Sequence, residues 1–191
     1  GRSSDEVIRT VSMPAFWVSQ TEVTQAQFQA LMGFNPSRFR DPDRPVENVL
    51  ITEALGFCAM LSAIDGRSYR LPDEDMWEFA CRSGEGGAAL PAVGIDSAPR
   101  RVEDTHRDSS GIHGMIGNVA ELCGNAYVPD PRLPPSEVAR YLRRNLEVIV
   151  RGGSWDSPRF ELRPGFRGRC DPHVAEDTIG FRVFCVPEKP N

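Results

Sequence analysis

The chain has 191 residues, of which 40% are hydrophobic, so it is long enough to bury the core of one domain. Its 27 acidic residues outnumber 22 basic ones, and a net charge of −5 without a basic run argues against nucleic acid as a partner. No apolar run approaches the roughly 20 residues that a membrane-spanning helix needs, so we predict no membrane span.

The N-terminal part predicts a strand and then a short helix. Residues 6–18 alternate enough between polar and apolar side chains to form a strand. Thr24 and Gln27 have the spacing of a capping box, and Gly33 is placed to end the helix. We expect residues 1–14 to be an N-terminal extension and first strand, 15–187 to be one domain, and 188–191 to be a tail.

Two further helices follow in the middle of the chain. Thr52 is the expected N-cap of the first of them, which ends at Asp65-Gly66. Its predicted buried side comprises Leu55, Cys58, Leu61 and Ile64. The next helix is expected to begin at Pro72-Asp73 and to end at Ser83-Gly84, with the acidic side chains of Asp73, Glu74 and Asp75 capping its N-terminus. Residues 84–110 and 124–145 are predicted loops, the second with a short helix at 136–144.

Five cysteines lie far apart and include no C-x-x-C pair. This pattern indicates neither a disulfide framework nor a zinc ribbon, and Cys58 and Cys81 are expected to be small buried side chains. The unpaired cysteines and the lack of a signal peptide favour a cytoplasmic location. The abrupt start at Gly1 predicts that the chain is part of a longer protein.

The C-terminal part predicts a rigid frame around a long irregular segment. A β-prone run at 146–150 leads into Arg151-Gly152-Gly153-Ser154-Trp155, and a second block, Ile179-Gly180-Phe181-Arg182-Val183, leads into another strand. Residues 156–178 between them have no helical or strand period. Segments held in this way by strands often carry binding or catalytic residues.

Several blocks of the sequence, in this order, resemble the formylglycine-generating enzyme (sulfatase-modifying factor) domain family. Besides the two C-terminal blocks, they are 16–24, 45–49, 69–80 (YRLPDEDMWEFA) and 111–122 (GIHGMIGNVAEL). The resemblance covers roughly residues 15–186. It implies an α+β fold that is irregular and loop-rich, of the C-type lectin-like kind.

The resemblance does not extend to the catalytic thiols of the family. Its copper-dependent oxidases carry two cysteines shortly after the Gly-Gly-Ser block, and the matching positions here are Ser157 and Leu162. Neither side chain can bind Cu(I) as a thiolate or form a disulfide with a substrate, so this oxidase activity is not expected. An iron site, as in sulfoxide synthases with a related domain, is not expected either, because the three histidines lack ligand spacing.

Two further expectations come from the resemblance. A cysteine-independent enzyme, an oxidase or tautomerase of the pyoverdine-maturation type, would need an acid–base group, for which Glu161 and His173 are the candidates. The family's structural calcium would match Gly117, Val119 and Glu121, although Gly114 replaces a side-chain ligand of the family. No cofactor is otherwise required.

The remaining hypothesis is a non-catalytic module that binds a protein or small-molecule ligand. Arginine and aromatic side chains, which dominate binding hot spots, are frequent in the C-terminal segment. The predicted ligand-binding residues are Trp155, Asp156, Ser157, Arg159, Phe160, Glu161, Arg163, Phe166, Arg169 and His173. The fold is also similar to the variable proteins of diversity-generating retroelements, in which this segment is randomised. Alternatively, the arginines pair with acids of the same segment: Asp156, Glu161, Asp171, Glu176 and Asp177.

Overall fold

The computed structural model describes residues 4–85 and 96–187, and within these ranges the chain forms four α-helices and seven short strands. The helices are α1 (Gln25–Met32), α2 (Ile51–Asp65), α3 (Glu74–Glu85) and α4 (Pro135–Leu142). The strands are β1 (Trp17–Val18), β2 (Ser68–Arg70), β3 (Ala120–Ala126), β4 (Val148–Arg151), β5 (Gly168–Cys170), β6 (Ile179–Gly180) and β7 (Phe184–Val186). The predicted tail, part of the predicted loop at 84–110 and the first three residues lie outside the described ranges. The α+β, loop-rich architecture is as predicted.

Two small sheets frame the molecule. In one, β7 lies between β1 and β2, with antiparallel pairing on both sides. In the other, the order is β5-β4-β3-β6, and β3 and β6 are parallel. The buried side chains form two clusters, one around Phe28, Phe57 and Phe181 and the other around Trp77 and Phe184. The second cluster lies under the C-terminal segment and supports it.

The caps of the first two helices show how far the local sequence determines them. The capping box of α1 is confirmed, since Thr24 and Gln27 each bond the other's backbone N–H, and Gly33 ends the helix at φ 82°. Thr52 was the wrong N-cap for α2. That helix begins at Ile51, and the Glu53 carboxylate accepts the Leu50 N–H at 2.8 Å.

The predicted buried side of α2 was also wrong in part. Cys58 is buried, but Leu55 and Ile64 are 45% and 73% exposed. The reason is Phe57, whose ring lies 5.8 Å from Phe28 and 5.4 Å from Phe181, centroid to centroid. Burying this large ring turns the side of the helix that carries Leu55 towards solvent.

The N-terminal strand is much shorter than predicted. Only Trp17–Val18 pairs with another strand, and residues 5–13, which we call the N-terminal strap, have no regular structure. Ile8 is 77% exposed. The strap is attached by charged side chains and not by a β-ladder. The alternation of apolar residues did not predict this kind of attachment. Among the described residues, no helix is long and apolar enough to cross a membrane.

Candidate functional site

Two glycines after β4 set the path of the C-terminal segment. Gly152 and Gly153 have φ values of 90° and 69°, in the left-handed region that other residues rarely adopt. A Cβ on Gly152 would lie 2.7 Å from the Met115 carbonyl, and one on Gly153 would lie 2.9 Å from Leu162. The turn therefore requires glycine at both positions. Just after it, the Trp155 backbone N–H donates to the Asn118 carbonyl at 2.8 Å.

Arg151, the last residue of β4, attaches the irregular segment to the buried side of the domain. Its side chain is fully buried and pairs with Glu78 of α3. The same guanidinium donates to the carbonyls of Pro164 and Phe166 at 2.7 and 2.8 Å and lies 5.4 Å from the centre of the Trp77 ring. One side chain thus ties β4, α3 and the middle of the irregular segment together.

Arg167 makes a second inward attachment. Its guanidinium donates to both oxygens of Glu74 at 2.6 and 2.9 Å and to the Val128 carbonyl at 2.9 Å. Glu74 was expected to act with its neighbours as a helix cap, but only Asp73 accepts a backbone N–H of the first turn, that of Met76. The Glu74 carboxylate is buried and forms an ion pair with the irregular segment.

One alternative predicted that the arginines pair with acidic residues of their own segment. Among the described residues, their ion pairs are instead with acidic residues elsewhere in the chain. Arg163 pairs with Glu6 of the N-terminal strap, and Arg169 with Glu147, 3.1 Å away. Asp177, one of the predicted acidic partners, pairs with Arg38. The segment is therefore fixed by acidic residues from other parts of the chain. It also contains a strand, β5, that its sequence did not predict.

The ten predicted ligand-binding residues fall into two groups. Asp156, Arg159, Phe160 and His173, which we call the outer residues, are exposed, and Arg169 is half exposed. Phe160 is 64% exposed and rests edge-to-face on Phe166, with the ring centroids 6.3 Å apart.

The second group supports the segment from within. The Trp155 indole N–H donates to the Asp177 carbonyl at 3.2 Å, and its ring packs edge-to-face on Phe39. The Ser157 hydroxyl accepts the Ser154 N–H and donates to Glu161, each at 3.0 Å. Arg163 and Phe166 are partly buried.

Comparison with known proteins assigns the chain to a family. The model of the sulfatase-modifying factor enzyme 1-like domain matches residues 2–186. The chain belongs to this family. Two solved structures share the fold: Treponema denticola variable protein 1 (TM-score 0.71, 24% identity, 90% of this chain and 84% of that one) and PvdO from Pseudomonas aeruginosa (0.74, 22%, 90% and 80%). At these identities the likeness concerns the fold alone.

Curated relatives of the domain have diverse names. The chaperone protein LppX of Paenibacillus barcinonensis is 24% identical over 92% of this chain and 81% of its own length. The hercynine oxygenase of Mycolicibacterium thermoresistibile is 30% identical over 74% of this chain, which spans 36% of that protein. The inactive C-alpha-formylglycine-generating enzyme 2 of Mus musculus is 27% identical over 76% of this chain, which spans 50% of it. The curated relatives of the domain therefore include an inactive one.

The calcium ligands that the family resemblance implies do not fit this domain well. Both oxygens of Glu121 accept from Arg182 Nε, at 2.7 and 2.8 Å, and one of them also accepts the Trp77 indole N–H at 2.6 Å. A cation at this carboxylate would compete with a buried guanidinium. The described residues also contain no group of three His, Cys, Asp or Glu side chains that could hold a metal. Calcium at Gly117, Val119 and Glu121 stays a prediction.

Glu22 is another buried carboxylate, and no pattern in the sequence predicted it. One of its oxygens accepts from Asn118 at 3.0 Å, and the other has no partner among the described side chains. Complete burial raises the pKa of Glu22 to about 7, and the nearby Glu121 adds to the rise, while Arg182 opposes it. The buried carboxylates of Glu22 and Glu121 thus both depend on the positive charge of Arg182. Because one positive charge cannot balance two negative ones, a proton on Glu22 removes the excess negative charge.

Ser157 and Leu162, the positions at which the family resemblance implies catalytic cysteines, both have structural contacts here. Ser157 is buried and bonds Glu161, and Leu162 packs in the core beside Gly153. None of the five cysteines, all of which lie in the described part of the chain, forms a disulfide, and all five are buried. Burial raises the pKa of Cys58 and of Cys170 to about 12, which leaves little reactive thiolate near neutral pH.

We therefore expect none of the five thiols to react rapidly with a disulfide reagent in the folded protein, and all five to react after denaturation. The measurement is a time course with a chromogenic aromatic disulfide at neutral pH, with and without guanidinium chloride. Rapid reaction of one thiol per folded chain would contradict the buried positions.

Proposed function

We propose that this domain is a non-catalytic ligand-binding module and that its outer residues, Asp156, Arg159, Phe160 and His173, contact the ligand. One observation carries the proposal. Arg151 and Arg167 point inward, where each is neutralised by a carboxylate of α3, whereas the outer residues are exposed on the same segment. The path of the backbone therefore does not depend on the outer side chains.

The outer residues have the chemistry of a protein or small-molecule site. They combine a cation, an anion, an imidazole and an exposed aromatic ring that Phe166 supports from below. An aromatic side chain held in place loses little conformational entropy on binding, and arginine adds directional hydrogen bonds. The acidic balance of the chain speaks against nucleic acid as the ligand. No cofactor is needed for this role.

We further propose that the outer positions differ among natural versions of the domain, as in a retroelement-diversified protein. The shared fold with the Treponema denticola variable protein supports this reading. So does the division of the segment, because substitutions at exposed positions typically change stability by only about 0.5 kcal/mol or less.

The second candidate is a cysteine-independent enzyme. The Ser157 hydroxyl donates to Glu161 at 3.0 Å, an arrangement in which a carboxylate could accept a proton. Against it, four clefts of about 350–490 Å³ among the described residues are not lined by Ser157, Glu161 or His173. Small-molecule substrates usually require such a concave site. If turnover of a metabolite is found and Glu161→Ala leaves its rate unchanged, Glu161 is not the acid–base group.

For a ligand found on protein, glycan or metabolite arrays, Arg159→Ala and Phe160→Ala should each weaken binding by about tenfold or more. The midpoint of thermal unfolding should stay nearly unchanged, since both side chains are exposed. The control is Arg140→Ala, which removes an exposed arginine from α4 and should leave the affinity unchanged. Binding that survives both substitutions in the segment would contradict the proposal.

A further inference from the structure

The N-terminal strap is attached to the rest of the domain by a regular series of polar contacts. Asp5 accepts the Tyr127 hydroxyl at 3.0 Å, Glu6 pairs with Arg163, and Arg9 pairs with Asp75 of α3. The contacts with Glu6 and Arg9 have opposite polarity. The acidic Glu6 pairs with a basic side chain, and Arg9, three residues later, pairs with an acidic one.

The Glu6 carboxylate occupies a pocket with two guanidinium groups. Both terminal nitrogens of Arg163 donate to the two oxygens of Glu6, a fork that suits a carboxylate. A Cβ on Gly165 would lie 3.2 Å from the Glu6 carboxylate, 3.3 Å from Arg163 and 3.5 Å from Arg82. The three charged groups therefore converge on the bare face of one glycine, and the position accepts a carboxylate because glycine leaves the space.

The strap covers its site incompletely. A cleft of about 430 Å³ remains between the strap and the surface formed by Glu78, Phe79 and Arg82 of α3 together with Gly165. Ile8 and Val11 of the strap are 77% and 41% exposed, so they add little hydrophobic attachment, and only Met13 at the end of the strap packs on the second core cluster. Ordering each strap residue costs about 1–2 kcal/mol of conformational entropy, and the partly exposed Arg9–Asp75 pair returns only about 0–1 kcal/mol. The strap is therefore an occupant that can leave.

We propose that the surface under the strap is a second binding site, separate from the outer residues, for an extended peptide with a carboxylate followed three residues later by a basic side chain. Arg163, with Arg82 beside it, receives the carboxylate, and Asp75 receives the base. Glu6 and Arg9 are the internal occupants of these two positions. A peptide of a partner protein with the same charge pattern displaces the strap and takes its place.

The test uses a fluorescent peptide with the sequence of residues 4–13 and the full chain. In the wild-type protein the strap competes at the high effective concentration of an intramolecular segment. The variant Glu6→Gln/Arg9→Gln, whose strap has lost both charges, should bind the peptide at least about tenfold more tightly by fluorescence anisotropy. Adding Arg163→Gln to that variant should abolish the gain, whereas adding Arg140→Gln should not.

Equal affinity of the wild type and the double variant would overturn the proposal, as would binding that survives Arg163→Gln.

Discussion

Arg167→Met is expected to lower the free energy of unfolding by about 3–5 kcal/mol, because it leaves the buried Glu74 carboxylate without its partner. Arg159→Met, which removes an exposed arginine from the same segment, should change it by no more than about 0.5 kcal/mol. Urea unfolding of both variants, followed by circular dichroism, provides the comparison. The two arginines are eight residues apart, so the difference measures which side of the segment faces the core.

A second variant separates the ion pair from side-chain volume. Glu74→Leu combined with Arg167→Met removes both charges and should recover part of the lost stability, because no buried carboxylate is left unpaired. If Arg159→Met proved as destabilising as Arg167→Met, the division into inward and outer residues would be wrong.

The stability of the domain is expected to fall as the pH rises from about 5 to about 8, with Glu22 as one cause. In the unfolded chain this carboxyl ionises near its ordinary pKa of 4.5, whereas burial raises its pKa to about 7 in the folded state. The folded state therefore binds the proton more tightly. The stabilisation is complete below the unfolded pKa and is lost as the pH rises through the folded one. The full effect is about 3 kcal/mol.

Glu22→Gln should remove this part of the pH dependence, so that the variant gains stability relative to the wild type as the pH rises. Guanidinium chloride unfolding at several pH values measures the difference between the two proteins. Glu103→Gln, at an exposed position, is the matched control and should follow the wild-type curve. A constant difference between Glu22→Gln and wild type over this range would show that Glu22 is ionised throughout.

Local chemistry determined the elements that the sequence predicted best. The capping box of Thr24 and Gln27 and the glycine that ends α1 depend on neighbouring residues only, so they can be found from the sequence. The glycine pair after β4 is similar, because its unusual backbone angles are required at that point of the chain. Family motifs supplied the rest of the fold.

The failed predictions involve contacts between residues distant in sequence. Phe57 decides which side of α2 is buried by packing on Phe28 and Phe181, and the local pattern of apolar residues did not show this. Arg163 and Arg167 pair with Glu6 and Glu74, which are 157 and 93 residues away. From the sequence, the acidic residues of the same segment were the plausible partners of these arginines. In the folded chain, Glu6 and Glu74 lie closer to them.

The sequence predicted which segment carries the candidate site, but not which of its side chains are exposed. All ten predicted ligand-binding residues lie in the segment after β4, but the segment has no regular period that would show which side chains face the core. Trp155, Ser157 and Arg163 are held by Asp177, Ser154 and Glu6. Sorting them from the outer residues required the positions of partners elsewhere in the chain.

The most direct test of the central claim is deep sequencing of the coding segment for residues 150–185 in the source population, together with its flanking DNA. We expect substitutions at 156, 159, 160 and 173, with Arg151, Gly152, Gly153 and Arg167 unchanged, beside a near-repeat of the segment and a reverse transcriptase gene. An invariant segment would contradict diversification, and substitutions at the inward arginines would contradict the frame that this structure assigns to them.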